Sequence, residues 1–212
     1  MPCSKKKNHW VHNFYFRDPF SKRAKFEGYR SRAIYKLKEI DEKENLLRFG
    51  INIINLGSSP GSWIQYILRK LGRNVKVYAL DKVSMKDIFG VSFIHGDFCD
   101  NSVLDKLFSL LRDKKIELVL SDMAYSMSGF PEIDIPRLLE LDELVLRFSV
   151  KVLKFNGVML VKVFYGYGLN DFINKVRFYF REVKIYKPLA SRSFSREAYL
   201  LAKYFVGCNK MF

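Results

Sequence analysis

Four polar residues stand out for their types and surroundings. They are Lys36 in Arg30-Ser-Arg-Ala-Ile-Tyr-Lys-Leu37, Asp122 in Ser121-Asp-Met-Ala124, Lys162 in Val161-Lys-Val-Phe164 and Glu197 in Ser195-Arg-Glu-Ala-Tyr199. Two amines and two carboxylates brought together can orient a hydroxyl group and take its proton. The four differ in how strongly they argue alone. Lys162 sits inside the apolar run Val158-Met-Leu-Val-Lys-Val-Phe164, where an unpaired ammonium is costly to bury. Asp122 follows an apolar run, at the carboxyl end of a strand, where open α/β sheets gather ligands. Lys36 borders an apolar helical stripe and reads equally well as a snorkelling lysine. Glu197 alone is an ordinary surface acid.

Between the first two lies a second constellation, Leu56-Gly-Ser-Ser-Pro-Gly-Ser-Trp63. A glycine-rich turn that ends a strand and opens a helix is the general arrangement for a nucleotide cofactor. Gly57 and Gly61 permit close backbone approach, and Pro60 suits the turn into the helix. The Gly-x-x-x-Gly spacing is not that of dinucleotide binders, which disfavours NAD. Asp81, after the next strand, is placed to accept bonds from ribose hydroxyls. Asp97, after the third, is placed to take an adenine amino group, with Trp63 packing nearby. Taken singly, either aspartate is also a plain strand-ending turn residue.

These residues need a scaffold, and the hydrophobic pattern supplies one. A helix is expected from Ser31 to about Leu47, then a strand over Ile51–Leu56. Trp63–Leu71 reads as a helix stopped by Gly72. Strands follow at Val75–Leu80 and Val91–Ile94, a helix at about 101–112, and a strand at Ile116–Ser121. Ile135–Leu153 reads as a long helix, Asn156-Gly157 as a turn, Val158–Phe164 as the fifth strand and Phe172–Tyr179 as a helix. Two late strands, near Val183–Tyr186 and Ala198–Tyr204, have no helix between them and are expected to be antiparallel. Alternating strands and helices predict a doubly wound, mostly parallel sheet. No internal repeat or low-complexity linker divides it. Residues 31–212 read as one domain and residues 1–30 as a basic, aromatic arm.

The chain has 212 residues and a formal net charge of +15, with 49% hydrophobic and 28% charged residues. That describes a globular protein with a sizeable core. Residues 1–38 hold eleven Lys/Arg against Asp18 and Glu27, a surplus of nine. Interleaved aromatics (Trp10, Phe14, Tyr15, Phe16, Phe20, Phe26, Tyr29) make this stretch suited to phosphate contacts and base stacking, hence to RNA. The plainer alternative is a solvated basic face. Cys3, Cys99 and Cys208 show neither metal nor redox spacing and read as reduced thiols of a cytoplasmic protein. His9, His12 and His95 lack metal spacing, so no metal is expected. There is no secretory leader pattern and no apolar run near the ~18–20 residues that span a membrane. No coiled-coil heptads are present, and a monomer is expected.

The chain resembles the FtsJ-like family of ribose 2′-O-methyltransferases. The similar stretches are the four already quoted, the loop Leu56–Trp63, Gly96-Asp-Phe98, Met127-Ser-Gly129 and Asp134-Ile-Pro-Arg137, in family order from about residue 10 to 205. The resemblance implies a Rossmann-like α/β fold dependent on S-adenosyl-L-methionine (AdoMet), with a seven-stranded, mostly parallel sheet and an antiparallel terminal hairpin. It implies a catalytic tetrad of Lys36, Asp122, Lys162 and Glu197, and cofactor contacts at Gly57, Gly61, Trp63, Asp81, Asp97 and Asp122. It also implies 2′-O-methylation of a uridine in 23S, large-subunit ribosomal RNA, on the assembled 50S particle. The alternatives are a non-catalytic ribosome-assembly factor binding the same RNA and the same chemistry on another RNA. Arg30 and Arg32 are expected at the RNA backbone.

The chain departs from the family pattern at several points. Asn55 stands where the first strand usually ends in an acid; its amide can still bond the methionyl amino group, without the charge attraction. Ser62 replaces a glycine, Tyr125-Ser126 replaces a Pro-Asn pair, and Tyr165 and Tyr167 replace more polar residues. Two roles stay open for Lys162. It is a base if burial and Lys36 keep it neutral; it is a cation steering the hydroxyl, with Asp122 or water taking the proton, if the acids hold it charged.

Overall fold

The computed structural model describes residues 18–207 except 73, 113 and 193. Trp10, Phe14, Tyr15, Phe16, Cys3, Cys208, His9 and His12 lie outside the described residues. The elements run α1 Pro19–Phe26, α2 Ile34–Glu44, β1 Asn52–Leu56, α3 Ser62–Leu71, β2 Lys76–Asp81, β3 Val91–His95 and α4 Asn101–Leu111. They continue β4 Ile116–Ser121, α5 Pro131–Val152, β5 Leu153–Phe164, α6 Leu169–Arg177, β6 Phe180–Tyr186 and β7 Glu197–Phe205. Among the described residues one seven-stranded sheet has the order β3-β2-β1-β4-β5-β7-β6. β1 to β5 are parallel; β7 pairs antiparallel with both β5 and β6, which is the expected terminal hairpin.

Both faces of the sheet are covered, which is why the central strands are apolar on both sides. Alternate residues divide between two cores. Ile54, Leu56, Leu80, Val119, Val161 and Val163 pack toward α4, α5 and α6. Ile53, Ala79, Leu118, Leu120, Leu160, Tyr199 and Leu201 pack toward α2 and α3. Lys162 lies between Val161 and Val163, so the strand's two-residue period turns it toward Tyr199 and α2.

Part of the basic N-terminal stretch is ordered as α1. Asp18 caps it, accepting from Phe20 N at 3.2 Å and Ser21 Oγ at 2.6 Å, and Pro19 takes the first helical position. The helix docks through buried Ala24 and the Phe20–Tyr35 ring contact, and Arg69 donates to Glu27 O and Gly28 O just beyond it.

Other boundaries shift for local reasons. α5 starts at Pro131 and not at Ile135: Pro131 suits its first turn, and buried Asp134 accepts from Ser128 N, Ser128 Oγ and Gly129 N. Asn156-Gly157 is a kink inside β5, with Asn156 at φ 61° and a register shift opposite Ile116–Leu118. Gly168, at φ 85°, opens α6 three residues early. No helix among the described residues is long and apolar enough to cross a membrane.

Candidate active site

The four residues singled out by type converge. Lys36 comes from the first turn of α2, Asp122 follows β4, Lys162 is on β5 and Glu197 opens β7. The antiparallel β5–β7 register sets Lys162 opposite Tyr199 and Phe164 opposite Glu197. Lys36 Nζ lies 2.6 Å from Glu197 Oε1, and Lys162 Nζ lies 3.5 Å from Glu197 Oε2 and 3.2 Å from Asp122 Oδ1. Their side chains keep only 11–16% exposure, too little for pairs held mainly by solvent-screened attraction.

Three further residues hold this group in place. Tyr199 is fully buried and donates its hydroxyl to Asp122 Oδ1 at 2.6 Å. Its ring lies 5.9 Å from that of Trp63 and 5.8 Å from Lys36 Nζ. Ser191 Oγ donates to Glu197 Oε1 at 2.8 Å, and Lys187 Nζ donates to Glu197 O and Ser195 O. Sequence reasoning gave none of these a role. For Tyr199 a signal existed: two residues past Glu197 on a strand, it must share its face.

Burial alone would lower the Lys162 ammonium's pKa, but Asp122 and Glu197 outweigh it and hold the group above its ordinary value. Glu197 is the mirror case: burial pushes it up, and Lys162 and Lys36 bring it below the usual carboxylate range. Burial, then the Asp122 and Glu197 charges, push the Tyr199 phenol well up, so it stays a neutral donor.

The group stands between two cavities. One, of about 860 Å³, is lined by Lys36 and Glu197 together with Arg32, Phe164, Arg192, Phe194 and Arg196. The other, of about 270 Å³, is lined by Gly57, Ser59, Asp81, Asp97, Asp122 and Tyr125. Lys162 joins the acid of one to the acid of the other. The smaller cavity lies at the β1–β4 junction, where the strand order reverses, the usual seat of a nucleotide in such sheets.

Its residues fit a nucleoside-bearing ligand. A Cβ on Gly57 would come 2.8 Å from Met123 N, so only glycine lets the loop pass the end of β4. Asp81 accepts from Ser59 N and Val83 N at 2.8 Å each, which fixes its carboxylate at the rim with lone pairs to spare. Asp97 accepts from Cys99 N through Oδ1. Behind the lining, Asn55, 1% exposed, has both amide atoms without a hydrogen-bond partner, and so does the buried Ser58 Oγ; neither side chain lines the cavity.

Gly61, Trp63 and Asn55 do not line that cavity. Gly61 packs under Ile88, Arg30 and Met85. Trp63 is buried and donates its indole N–H to Ala33 O at 2.7 Å. Arg30 and Arg32, expected at RNA, bond within the chain, and Arg32 also lines the larger cavity. Arg30 donates to the carbonyls of Pro60, Lys86 and Asp87, bracing the glycine-rich loop, and Arg32 donates to Asp18 and to Ala190 O. Among the described residues no three His, Cys, Asp or Glu side chains come together as a metal site; His95 Nε2 lies 3.0 Å from Lys82 O.

The family model for FtsJ-like methyltransferases matches residues 29–205. The chain belongs to this family. It is 46% identical over 203 residues to the ribosomal RNA large subunit methyltransferase E of Legionella pneumophila strain Lens, covering 96% of this chain and 98% of that one. The protein of the same name from Hahella chejuensis is 43% identical, over 98% of this chain and all of its own. A Plasmodium falciparum crystal structure assigned as a ribosomal RNA methyltransferase superposes with a TM-score of 0.77 at 34% identity, covering 84% of this chain and 100% of that one. In this FtsJ-like chain each stretch that carries the family pattern supplies residues to the lining of one of the two cavities.

Proposed function

We propose that this protein is an AdoMet-dependent RNA methyltransferase that modifies the 2′-hydroxyl of a uridine in 23S, large-subunit ribosomal RNA, on the 50S particle. The observation that carries this reading is the partition of two cavities by Lys36, Glu197, Lys162 and Asp122. A donor on the Asp122 side and an acceptor on the Lys36 side meet only at Lys162. The names of the relatives from Legionella and Hahella support ribosomal RNA as the acceptor.

AdoMet bound in the smaller cavity supplies a methyl group on a positive sulfonium centre. Asp81 and Asp97, both at its rim, would hold the nucleoside end. On the other side Arg192 and Arg196 face the RNA backbone, and the exposed Phe194 offers a flat surface for bases. Lys162 acts as an ammonium: the acids on either side hold it charged, so it fixes the lone pair of the incoming hydroxyl. Asp122 receives the proton. Tyr199 keeps Asp122 in position, and Lys36 keeps Glu197 ionised. Much of the rate comes from holding hydroxyl and methyl group in line.

The test is transfer of labelled methyl from AdoMet to large subunits that lack the modification, with Lys162→Ala as control. Label in a single 2′-O-methyluridine, absent with the variant, is the expected result. AdoMet binding without label on subunits would reject this substrate, and absence of AdoMet binding would reject the enzyme reading altogether.

A further inference from the structure

Three loops, leaving β2, β3 and β4, meet on one side chain. Tyr125 lines the smaller cavity beside Lys82, Cys99 and Asp97. Its hydroxyl lies 3.1 Å from Cys99 Sγ, which ties the β4 loop to the β3 loop two residues past Asp97. Lys82 Nζ, from the β2 loop, stands 5.7 Å from its ring centroid. The ring also packs on the core beneath the sheet, so its orientation is fixed from behind.

The chemistry of the bridge is neutral. Its bond with Cys99, and then burial, push the Tyr125 phenol up to about 12, and burial raises the Cys99 thiol. A neutral, flat surface thus closes the end of the cavity where Asp97 offers an acceptor carboxylate. Asp97 commits Oδ1 to Cys99 N, which leaves lone pairs of its carboxylate for a ligand. An acceptor beside a flat neutral wall suits an aromatic base that carries an exocyclic amino donor. A base with a carbonyl at that position would face the carboxylate oxygen to oxygen.

We propose that Tyr125 is a specificity-determining residue for the donor, its ring forming the wall against which the amino-purine packs while Asp97 reads the amino group. The inference rests on the AdoMet reading above and deepens it. It assigns the contact to the ring, with the Cys99 bond setting the ring's angle.

Calorimetric binding of S-adenosylhomocysteine and S-inosylhomocysteine to the full chain tests it without any turnover. The wild type is expected to prefer the adenosyl compound. Loss of base stacking in Tyr125→Leu, which keeps bulk but no flat face, is expected to weaken adenosyl binding about tenfold and narrow the preference. Tyr125→Phe keeps the ring and is expected to stay within about threefold of wild type. A thermal melt of each variant establishes that it is folded. A folded Tyr125→Leu with wild-type affinity and preference would overturn the inference while leaving the AdoMet reading intact. A wild type that binds neither compound would overturn the AdoMet reading, and this inference with it.

Discussion

Helix α2 and strand β7 meet twice, with nearly the same residue types and different results. At one end Lys36 of the helix reaches Glu197 of the strand at 2.6 Å; at the other, Glu44 of the helix meets Lys203 of the strand at 2.7 Å. Each meeting includes a tyrosine that donates to a carboxylate, Tyr199 to Asp122 and Tyr186 to Glu44. At Glu44 three donors, Lys203, Lys184 and Tyr186, converge on one acid. Glu197 also takes three donors, Lys36, Ser191 and Lys162, but there the Lys162 ammonium is shared with Asp122, at 3.5 and 3.2 Å, distances longer than a tight charged pair. The Glu44 cluster is a staple between elements. An ammonium held loosely between two acids, with a cavity on either side, is poised to take a new partner.

Breaking the two clusters should therefore give opposite readouts. The largest effect is expected from Lys162→Ala, with a loss of at least about 10³-fold in kcat for methyl transfer and AdoMet binding retained. Lys203→Met, at the far end of the same pair of elements, should leave kcat within about twofold. Equal losses from the two variants would mean that Lys162 acts only by holding the sheet together.

Glu44→Gln should show the reverse: full kcat below its transition temperature, and a stability loss of about 2 kcal/mol, or roughly 4–8 °C in Tm. Its pH dependence sharpens the contrast. Burial raises the Glu44 carboxyl, but Lys203, Tyr186 and Lys184 outweigh it and bring it to about 2. A carboxyl depressed on folding stabilises above its ordinary value, and that stability disappears as pH falls from about 4.5 toward 2. The Tm gap between wild type and Glu44→Gln should close over that interval. A gap that persisted at pH 2 would refute the ionic account.

The two clusters were not equally legible in the sequence. Lys162 announces itself, because a lysine in an apolar strand needs a reason, and Asp122 sits where strand ends gather ligands. Glu197 and Glu44 look alike on the page. What separates them is the β5–β7 register, a pairing across some thirty-five residues of chain that no local pattern encodes. Tyr199 was hidden by the same non-local pairing. In the N-terminal stretch, Asp18-Pro19 carries a helix-start signal that the density of charge obscures. Arg30 and Arg32 suggest phosphate contacts; their bonds to backbone carbonyls far along the chain are not legible locally. The positions of the glycine-rich loop and Asp81 were legible because they depend on the backbone close to them. The contact of Trp63 with Tyr199 is another non-local meeting that no local pattern encodes.

The tyrosines offer a finer cut through the same comparison. Tyr199→Phe removes one hydrogen bond to Asp122 and keeps the buried ring. It should lower kcat about tenfold, equivalent to about 1.4 kcal/mol of barrier, with little change in KM for AdoMet. Tyr186→Phe removes the matching bond to Glu44 and should change Tm alone. A drop in Tm without loss of kcat in Tyr199→Phe would make its phenol a staple as well.

The smallest expected effect comes from an acid that belongs to neither cluster. Asp142 is buried on α5, and burial pushes its carboxyl well above the ordinary range, with the Lys162 charge pulling it back. A carboxyl raised on folding keeps its proton while the unfolded chain loses it, so wild-type stability falls as pH rises past about 4. An asparagine side chain at the same position has no proton to lose. Asp142→Asn should thus match wild type near pH 3 and exceed it by about 1 kcal/mol, roughly 2–4 °C in Tm, at pH 7. Because Lys162 offsets part of the burial, the gain should grow when Asp142→Asn is made in the Lys162→Ala background. A gain that is the same at every pH would mean that packing, not charge, distinguishes the two side chains.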